Sequence, residues 1–179
     1  MTTTATTSTA GESVLTTTLA TGTARGPVLV VAAVVAGLQA GTFFTWSTGV
    51  MPGLARVDDR TFIDAMQNMN VAIVNPLFIA TFLGAPFLAA AAAVVTHGSA
   101  RRWAVAATAL TVATLVVSFA GNIPLNDALE AAGSVDKIKD LAAVRADFES
   151  LWVKLNVVRC LTSAGALGAL AVATLRSRA

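Results

Sequence analysis

Four long stretches of this chain carry no Asp, Glu, Lys or Arg: Gly26 to Ala55, Ala65 to Ala100, Trp103 to Asn126 and Cys160 to Leu175. They run for 30, 36, 24 and 16 residues, and the last reaches 21 if it starts at Leu155 and takes in Arg159. A helix needs about 20 apolar residues to cross a bilayer core. The pattern therefore predicts four membrane spans, about Val28–Val50, Asn75–Val95, Trp103–Gly121 and Leu155–Leu175. Gly37, Gly41, Gly84, Gly165 and Gly168 lie inside them. In a soluble helix each would cost about 1 kcal/mol against Ala, whereas in a membrane small residues let helices approach closely. Gly37 and Gly41 form a GxxxG, read here as a packing site within the bundle, and Pro86 predicts a kink in span two.

Shorter patterns fill the gaps. Met51-Pro52-Gly53 ends span one, and Phe62, Met66, Met69 and Ile73 then recur at i, i+4, i+7 and i+11, one face of a short amphipathic helix. Asn75 is placed as an N-cap and Pro76 at the first helical position of span two. Ser134 reads as the N-cap of the last helix, with Asp136 at its positive end. No Gly or Pro follows from Val135 to Ala164, so that helix is expected to run unbroken into the membrane and to project well beyond it. Leu141, Val144, Phe148, Leu151 and Leu155 form its apolar stripe; Arg145, Glu149, Trp152, Asn156, Arg159 and Ser163 form a second one. At 100° per residue these six stay within about 60° of one another. A polar stripe that crosses the membrane boundary faces protein or water, not lipid.

The fold class that follows is an all-α bundle of four transmembrane helices, with a short amphipathic helix after the first span and a long fourth helix projecting from the membrane. Residues 1–25 form a Thr-rich tail too poor in large apolar side chains to fold. It has no basic segment followed by an apolar run and a cleavage site, so no cleaved signal peptide is expected. Residues 26–176 form the single membrane domain and 177–179 a C-terminal tail.

Composition sharpens the class. The chain is 55% hydrophobic and 12% charged, against about 25% charged in an ordinary globular domain, and its mean hydropathy is +0.72. A soluble enzyme and a disordered chain are both excluded; the expected partner is the lipid bilayer. One Cys and one His exclude a disulfide scaffold, an iron–sulfur cluster, a bis-His haem and a zinc site built by one chain. A net charge of +2 is too small to suggest nucleic acid. Four spans put both termini on one side, together with Arg25, Arg101, Arg102, Arg176 and Arg178. The excess of basic residues favours cytoplasmic termini in a multi-pass protein of the cell membrane.

Polar residues gather at the other end, beside the long loops. Trp46 ends span one, Asn70 flanks the amphipathic face, Asn122, Asn126 and Asp127 close span three, and Glu149, Trp152, Asn156 and Arg159 lead into span four. Gln39 alone lies deeper, in span one. Each has a plain structural use. Arg159 could snorkel to the headgroups, the Asn residues could be caps or interhelical hydrogen bonds, and Arg145 with Glu149 is a surface i, i+4 pair.

The motifs Val50-Met51-Pro52-Gly53-Leu54, Ala65-Met66-Gln67-Asn68-Met69-Asn70, Asn75-Pro76, Asn122-Ile123-Pro124-Leu125-Asn126 and the WxxxNxxR run from Trp152 to Arg159 together resemble the anthrone oxygenase-like family of small integral membrane proteins. The resemblance covers about Val28 to Leu175. Characterised members in fungal polyketide pathways oxidise anthrones to anthraquinones with molecular oxygen; many bacterial members are known only as a domain of unknown function. The resemblance implies a lipophilic aromatic substrate and chemistry that needs no cofactor, because a deprotonated anthrone is electron-rich enough to react with oxygen without a metal or flavin. Such a site needs a dry pocket, a base, and donors for the enolate oxygen. Arg159, Asn156, Asn122 and Asn126 are suitable donors, and Asp127 or Glu149 a suitable base. Trp152, Trp46, Gln39 and Asn70 are the remaining candidates for binding. Two classes stay open: a membrane-embedded oxidoreductase, or a non-catalytic accessory or binding protein in which the same cluster is structural glue.

Overall fold

The computed structural model describes the backbone of residues 9–178 and the side chains from Arg25 onward; the first eight residues of the Thr-rich tail lie outside the described residues. The helices are α1 (Thr9–Thr45), α2 (Met51–Leu54), α3 (Asp59–Ile73), α4 (Pro76–Val95), α5 (Gly98–Val117), α6 (Ile123–Ala131) and α7 (Leu141–Arg176). Single π-helical turns, Trp46–Val50 and Ser118–Asn122, join α1 to α2 and α5 to α6. There is no strand among the described residues. Four units are long and apolar enough to cross a membrane: Arg25–Leu54, Pro76–Val95, Gly98–Ala131 and Leu141–Arg176. Three of the four expected spans fall inside them, and the second exceeds its helix only by Asn75, the cap residue.

The spans pack in the cyclic order α1, α4, α5, α7 and back to α1. Every neighbour is antiparallel, which is the topology short connections enforce. At the end that holds the termini the interior is built from Ala32, Ala36, Ala89, Ala92, Ala104, Ala107, Ala166, Ala169 and Ala173, with Leu29 and Leu170. Lipid offers no hydrophobic drive between helices, so close van der Waals contact of small residues holds them together. Arg25 Nε donates to the Val95 carbonyl at 3.2 Å, which ties the start of the first span to the α4–α5 connection on the same side. Gly37 makes ordinary contact with Leu167, but Gly41 faces open space. The GxxxG is thus only half used within the chain.

At the other end the core changes to large side chains: Met51, Phe62, Ile63, Met66, Leu129, Phe148 and Trp152. The amphipathic helix α3 lies across this end. Asp58 caps it, its carboxylate accepting from the Thr61 N–H at 3.0 Å, and that bond holds its pKa below the usual carboxylate range. Phe62, Ile63 and Met66 are buried, while Met69 and Ile73 are half-buried. Arg145 of α7 pins the segment before α3. It donates to the carbonyl of Val57, to Asp59 and, at 2.7 Å, to Glu149 Oε2, and its guanidinium lies 4.5 Å from the Phe62 ring centre. Gln67 clamps α3 to the far end of α6 through the carbonyls of Leu129 and Gly133, and Arg60 pairs with Asp136.

One expectation needs correction. The last helix begins at Leu141, not after Ser134: Asp140 provides the cap, accepting from the Ala143 N–H at 2.9 Å. The stretch from Ser134 is instead a turn, with the Lys137 N–H on the Ser134 carbonyl, following Gly133 at φ 83°. The helix still has 36 residues without a break, about 54 Å at 1.5 Å per residue, and so exceeds a ~30 Å hydrocarbon core. Its polar stripe turns inward as expected: Trp152, Asn156, Arg159 and Ser163 are buried, while Leu151 is 50% exposed and Leu155 half-buried. In lipid the apolar face belongs outside and the polar one inside. Asn75 caps α4 as expected, accepting from the Phe78 N–H at 3.0 Å.

The topology predicts that reporter fusions at Ala100 and after the C-terminus give the same location and a fusion near Gly133 the opposite one. The same signal at all three sites would contradict the bundle.

Candidate active site

Between the small-residue core and the cap formed by α3, the four spans part around a cavity of about 290 Å³. That is the lower end of the ~300–1,000 Å³ typical of small-molecule sites. Both π turns flank it. In each, the closing N–H reaches back five residues, Met51 to Trp46 and Ile123 to Ser118, and a proline follows immediately, Pro52 and Pro124. Proline supplies no N–H and its ring crowds the carbonyl four residues earlier; widening the helix by one residue per turn relieves both and re-aims the side chains. Each turn also has a glycine three residues before the proline, Gly49 and Gly121. At Gly121 a Cβ would fall 2.5 Å from Leu155, so this glycine lets span three close onto span four.

Most of the cavity wall is apolar and aromatic. Phe78 and Phe82 of α4 stack at 5.4 Å, Phe82 meets Phe119 at 6.0 Å, and Trp46 meets Trp152 at 5.2 Å. Besides the hydroxyls of Thr42 and Ser118, the polar groups are Asn70 from α3, Asn126 from α6 and Arg159 from α7. Arg159 is 8% exposed. Its Nη2 donates to Asn156 Oδ1 at 2.8 Å, and the guanidinium lies 4.6 Å from the Phe43 ring and 5.2 Å from the Trp152 ring. Its Nε has no partner, nor does Asn70 Nδ2. No Asp, Glu, His or Lys is among the cavity-lining residues, so nothing in the wall neutralises the guanidinium.

The rest of the polar cluster stands behind the wall and holds it. Asn156 is fully buried and spends its amide on the Phe43 carbonyl at 3.1 Å and on Ser47 Oγ at 2.8 Å, locking α7 to the end of the first span. Asn122, also fully buried, donates to the Trp152 carbonyl at 3.1 Å. Trp152 Nε1 in turn donates to Asn126 Oδ1 at 2.8 Å, which fixes the indole against the cavity.

Of the residues singled out in the sequence, Arg159, Asn126, Trp152, Trp46 and Asn70 line the cavity. Asn122 and Asn156 touch those residues from behind. Asp127 is exposed and outside the wall, and Glu149, less than one turn before Trp152 on the loop side, is engaged by Arg145 and does not line the cavity. Gln39 borders a much smaller void of about 10 Å³ deeper in the bundle, where its amide donates to Thr81 Oγ1 at 3.0 Å. Phe43, Ser47 and the Phe78/Phe82/Phe119 wall were not anticipated. The recurrence of G-x-x-P at the ends of spans one and three, and the i, i+4 pair Phe78/Phe82, are the signals that could have pointed to them.

A family model described as anthrone oxygenase matches residues 65–169, from within α3 to within α7 and more than half of the chain. The chain belongs to the anthrone oxygenase family. No curated protein and no solved structure matches it. The anthrone oxygenase match takes in Asn70, Asn126, Trp152 and Arg159, whereas the wall contributed by the first span, Phe43 and Trp46, precedes it.

Asn156→Leu removes the acceptor of Arg159 and the donor to Phe43 and Ser47. Each buried group left unpaired costs about 1–3 kcal/mol. The variant is expected to unfold at lower temperature in detergent, whereas Asp127→Asn, at an exposed site, leaves the transition unchanged.

Proposed function

We propose that this cavity binds a lipophilic anthrone-like aromatic and oxidises it with molecular oxygen, with Arg159 as the catalytic residue. The observation that carries the reading is an arginine inside an apolar cavity, with one donor unpaired and no carboxylate in the wall. A second unpaired donor, Asn70, supports it, as does membership of the anthrone oxygenase family. We place the protein in the cell membrane with cytoplasmic termini, from the arginines beside the terminal end of the bundle.

A positive charge beside an ionisable group favours its anionic form. An anthrone whose carbonyl oxygen accepts from Arg159 loses a methylene proton more readily, and the negative charge collects on that oxygen. Charge-assisted hydrogen bonds of this kind are the strong ones, and the dry aromatic wall strengthens them further. With no carboxylate or imidazole in the wall, the proton leaves to water at the loop end, where Asn70 and Asn126 are only half-buried. The enolate then gives an electron to oxygen, and the resulting carbon and oxygen radicals join to form a C–O bond. With a proton this gives a hydroperoxide at the former methylene carbon. Loss of the second hydrogen of that carbon as a proton, with cleavage of the O–O bond, leaves a carbonyl and releases water. Substrate plus one oxygen molecule thus becomes quinone plus one water. Trp46, Trp152 and the phenylalanine wall sandwich the flat rings, and Trp152 is held in place by Asn126.

The test is oxygen uptake by the purified protein in vesicles, with anthrone as substrate. Arg159→Met, which keeps length and apolar stem, is expected to lose turnover by at least about 100-fold, the range seen when a transition-state donor is removed. Asn156→Asp is expected to lose turnover as well, because the new carboxylate pairs with the guanidinium and cancels its charge, and to unfold at lower temperature, because the donor to the Phe43 carbonyl is lost. Full activity in Arg159→Met would remove the proposed role.

A further inference from the structure

The walls of the cavity are not equally closed. Toward the loops it is roofed by α3, whose Asn70 and Ile73 line it and which Arg145 and Gln67 hold down. Toward the termini it is sealed by the alanine core. Sideways, Ile79, Leu83 and Phe119 both line the cavity and stand exposed on the outside of the bundle, at 36%, 39% and 55%. The gap they border lies between α4 and the π turn of span three, and inside it Phe82 meets Phe119 across at 6.0 Å.

Depth places this gap. Ile79 and Leu83 are three and seven residues from the start of α4 at Pro76, about 4.5 and 10.5 Å along the axis. Phe119 is 16 residues from the start of the charge-free run of span three at Trp103, about 24 Å from the terminal side. In a hydrocarbon layer of about 30 Å, all three meet acyl chains, in the leaflet on the long-loop side. Their side chains carry no polar atom, which suits a hydrocarbon boundary and not a water-filled one.

We infer that the cavity opens sideways into the bilayer and takes its ligand from the hydrocarbon of that leaflet, through a mouth bordered by Ile79, Leu83 and Phe119. The identity of the ligand as a flat polycyclic aromatic rests on the oxygenation reading. The mouth adds that this ligand is one that dissolves in acyl chains and carries no charged or strongly hydrated group on the edge that enters last. Its oxygen enters first, toward Arg159 and Asn70 at the far wall.

The experiment reads the mouth without requiring turnover. Trp103 stands at the opposite end of the bundle, so Trp103→Phe leaves only Trp46 and Trp152, both in the cavity wall. This variant is reconstituted in phosphatidylcholine vesicles whose acyl chains carry bromine either in the half near the headgroup or near the terminal methyl. Bromine in the near half is expected to quench the tryptophan emission by roughly twofold or more, and bromine at the chain end less. Adding Ile79→Phe and Leu83→Phe, which enlarge two outward-facing side chains at the mouth, is expected to restore at least half of the lost emission. Leu161→Phe, on an exposed face of α7 away from the mouth, is expected to restore none. Absence of quenching in the open variant, or equal restoration by Leu161→Phe, overturns the inference. Quenching without oxidation of anthrone leaves the mouth standing and removes the oxygenation reading; oxidation without quenching does the reverse.

Discussion

Arg159 sets the terms for the rest of the molecule. A guanidinium within an apolar bundle, one to two turns inside the expected boundary, is costly unless it is paired or hydrated. Here no carboxylate meets it. Its one protein acceptor is the neutral carbonyl of Asn156, and two aromatic rings supply cation–π contact, together worth a few kcal/mol at most. Neutral partners steady the charge without cancelling it. On the function proposed above, that positive charge stays available for an anionic ligand; the buried Asn156 and Asn122 tie the surrounding helices together.

The bundle is graded to allow it. Alanines bring four helices together at the terminal end, and phenylalanines, tryptophans and methionines spread them at the loop end. Two π turns, each next to a proline, widen spans one and three at the level where the spreading begins. A helix with regular i to i−4 bonding would meet Pro52 or Pro124 with a missing donor and a steric clash. The wider turn removes both and turns Trp46 and Phe119 onto the cavity. The long loops then fold back as α3 and α6 to roof it, held by Arg145, whose partners are two backbone carbonyls and two carboxylates. That is the opposite of Arg159's environment, on the same face of the same helix.

Much of this was legible in the chain. Charge-free runs set the four spans, because a bilayer demands length and apolarity before anything else. The polar stripe on α7 gave its inward face correctly, since Trp152, Asn156, Arg159 and Ser163 are all buried. Leu151 of the apolar stripe stands exposed for the same reason: in lipid it gains nothing by turning inward. The start of α7 was misplaced because Ser134 and Asp140 are both good caps, and the choice is made by Gly133 and the Arg60–Asp136 pair, contacts that sequence spacing does not display. At the site, residue type pointed to the donors but not to which face the cavity and which stand behind it. Asp127, one residue after Asn126, looked equally near, yet a step of one residue on a helix turns a side chain by 100° and puts it outside.

The central claim is that Arg159 holds bound ligand as its anion. It is tested most directly by absorption spectroscopy of anthrone with the protein in vesicles at neutral pH, with oxygen excluded so that nothing turns over. The account predicts the enolate band on binding to the native protein and its absence with Arg159→Met. A neutral spectrum for the bound ligand, or the same enolate band with and without the guanidinium, would contradict it.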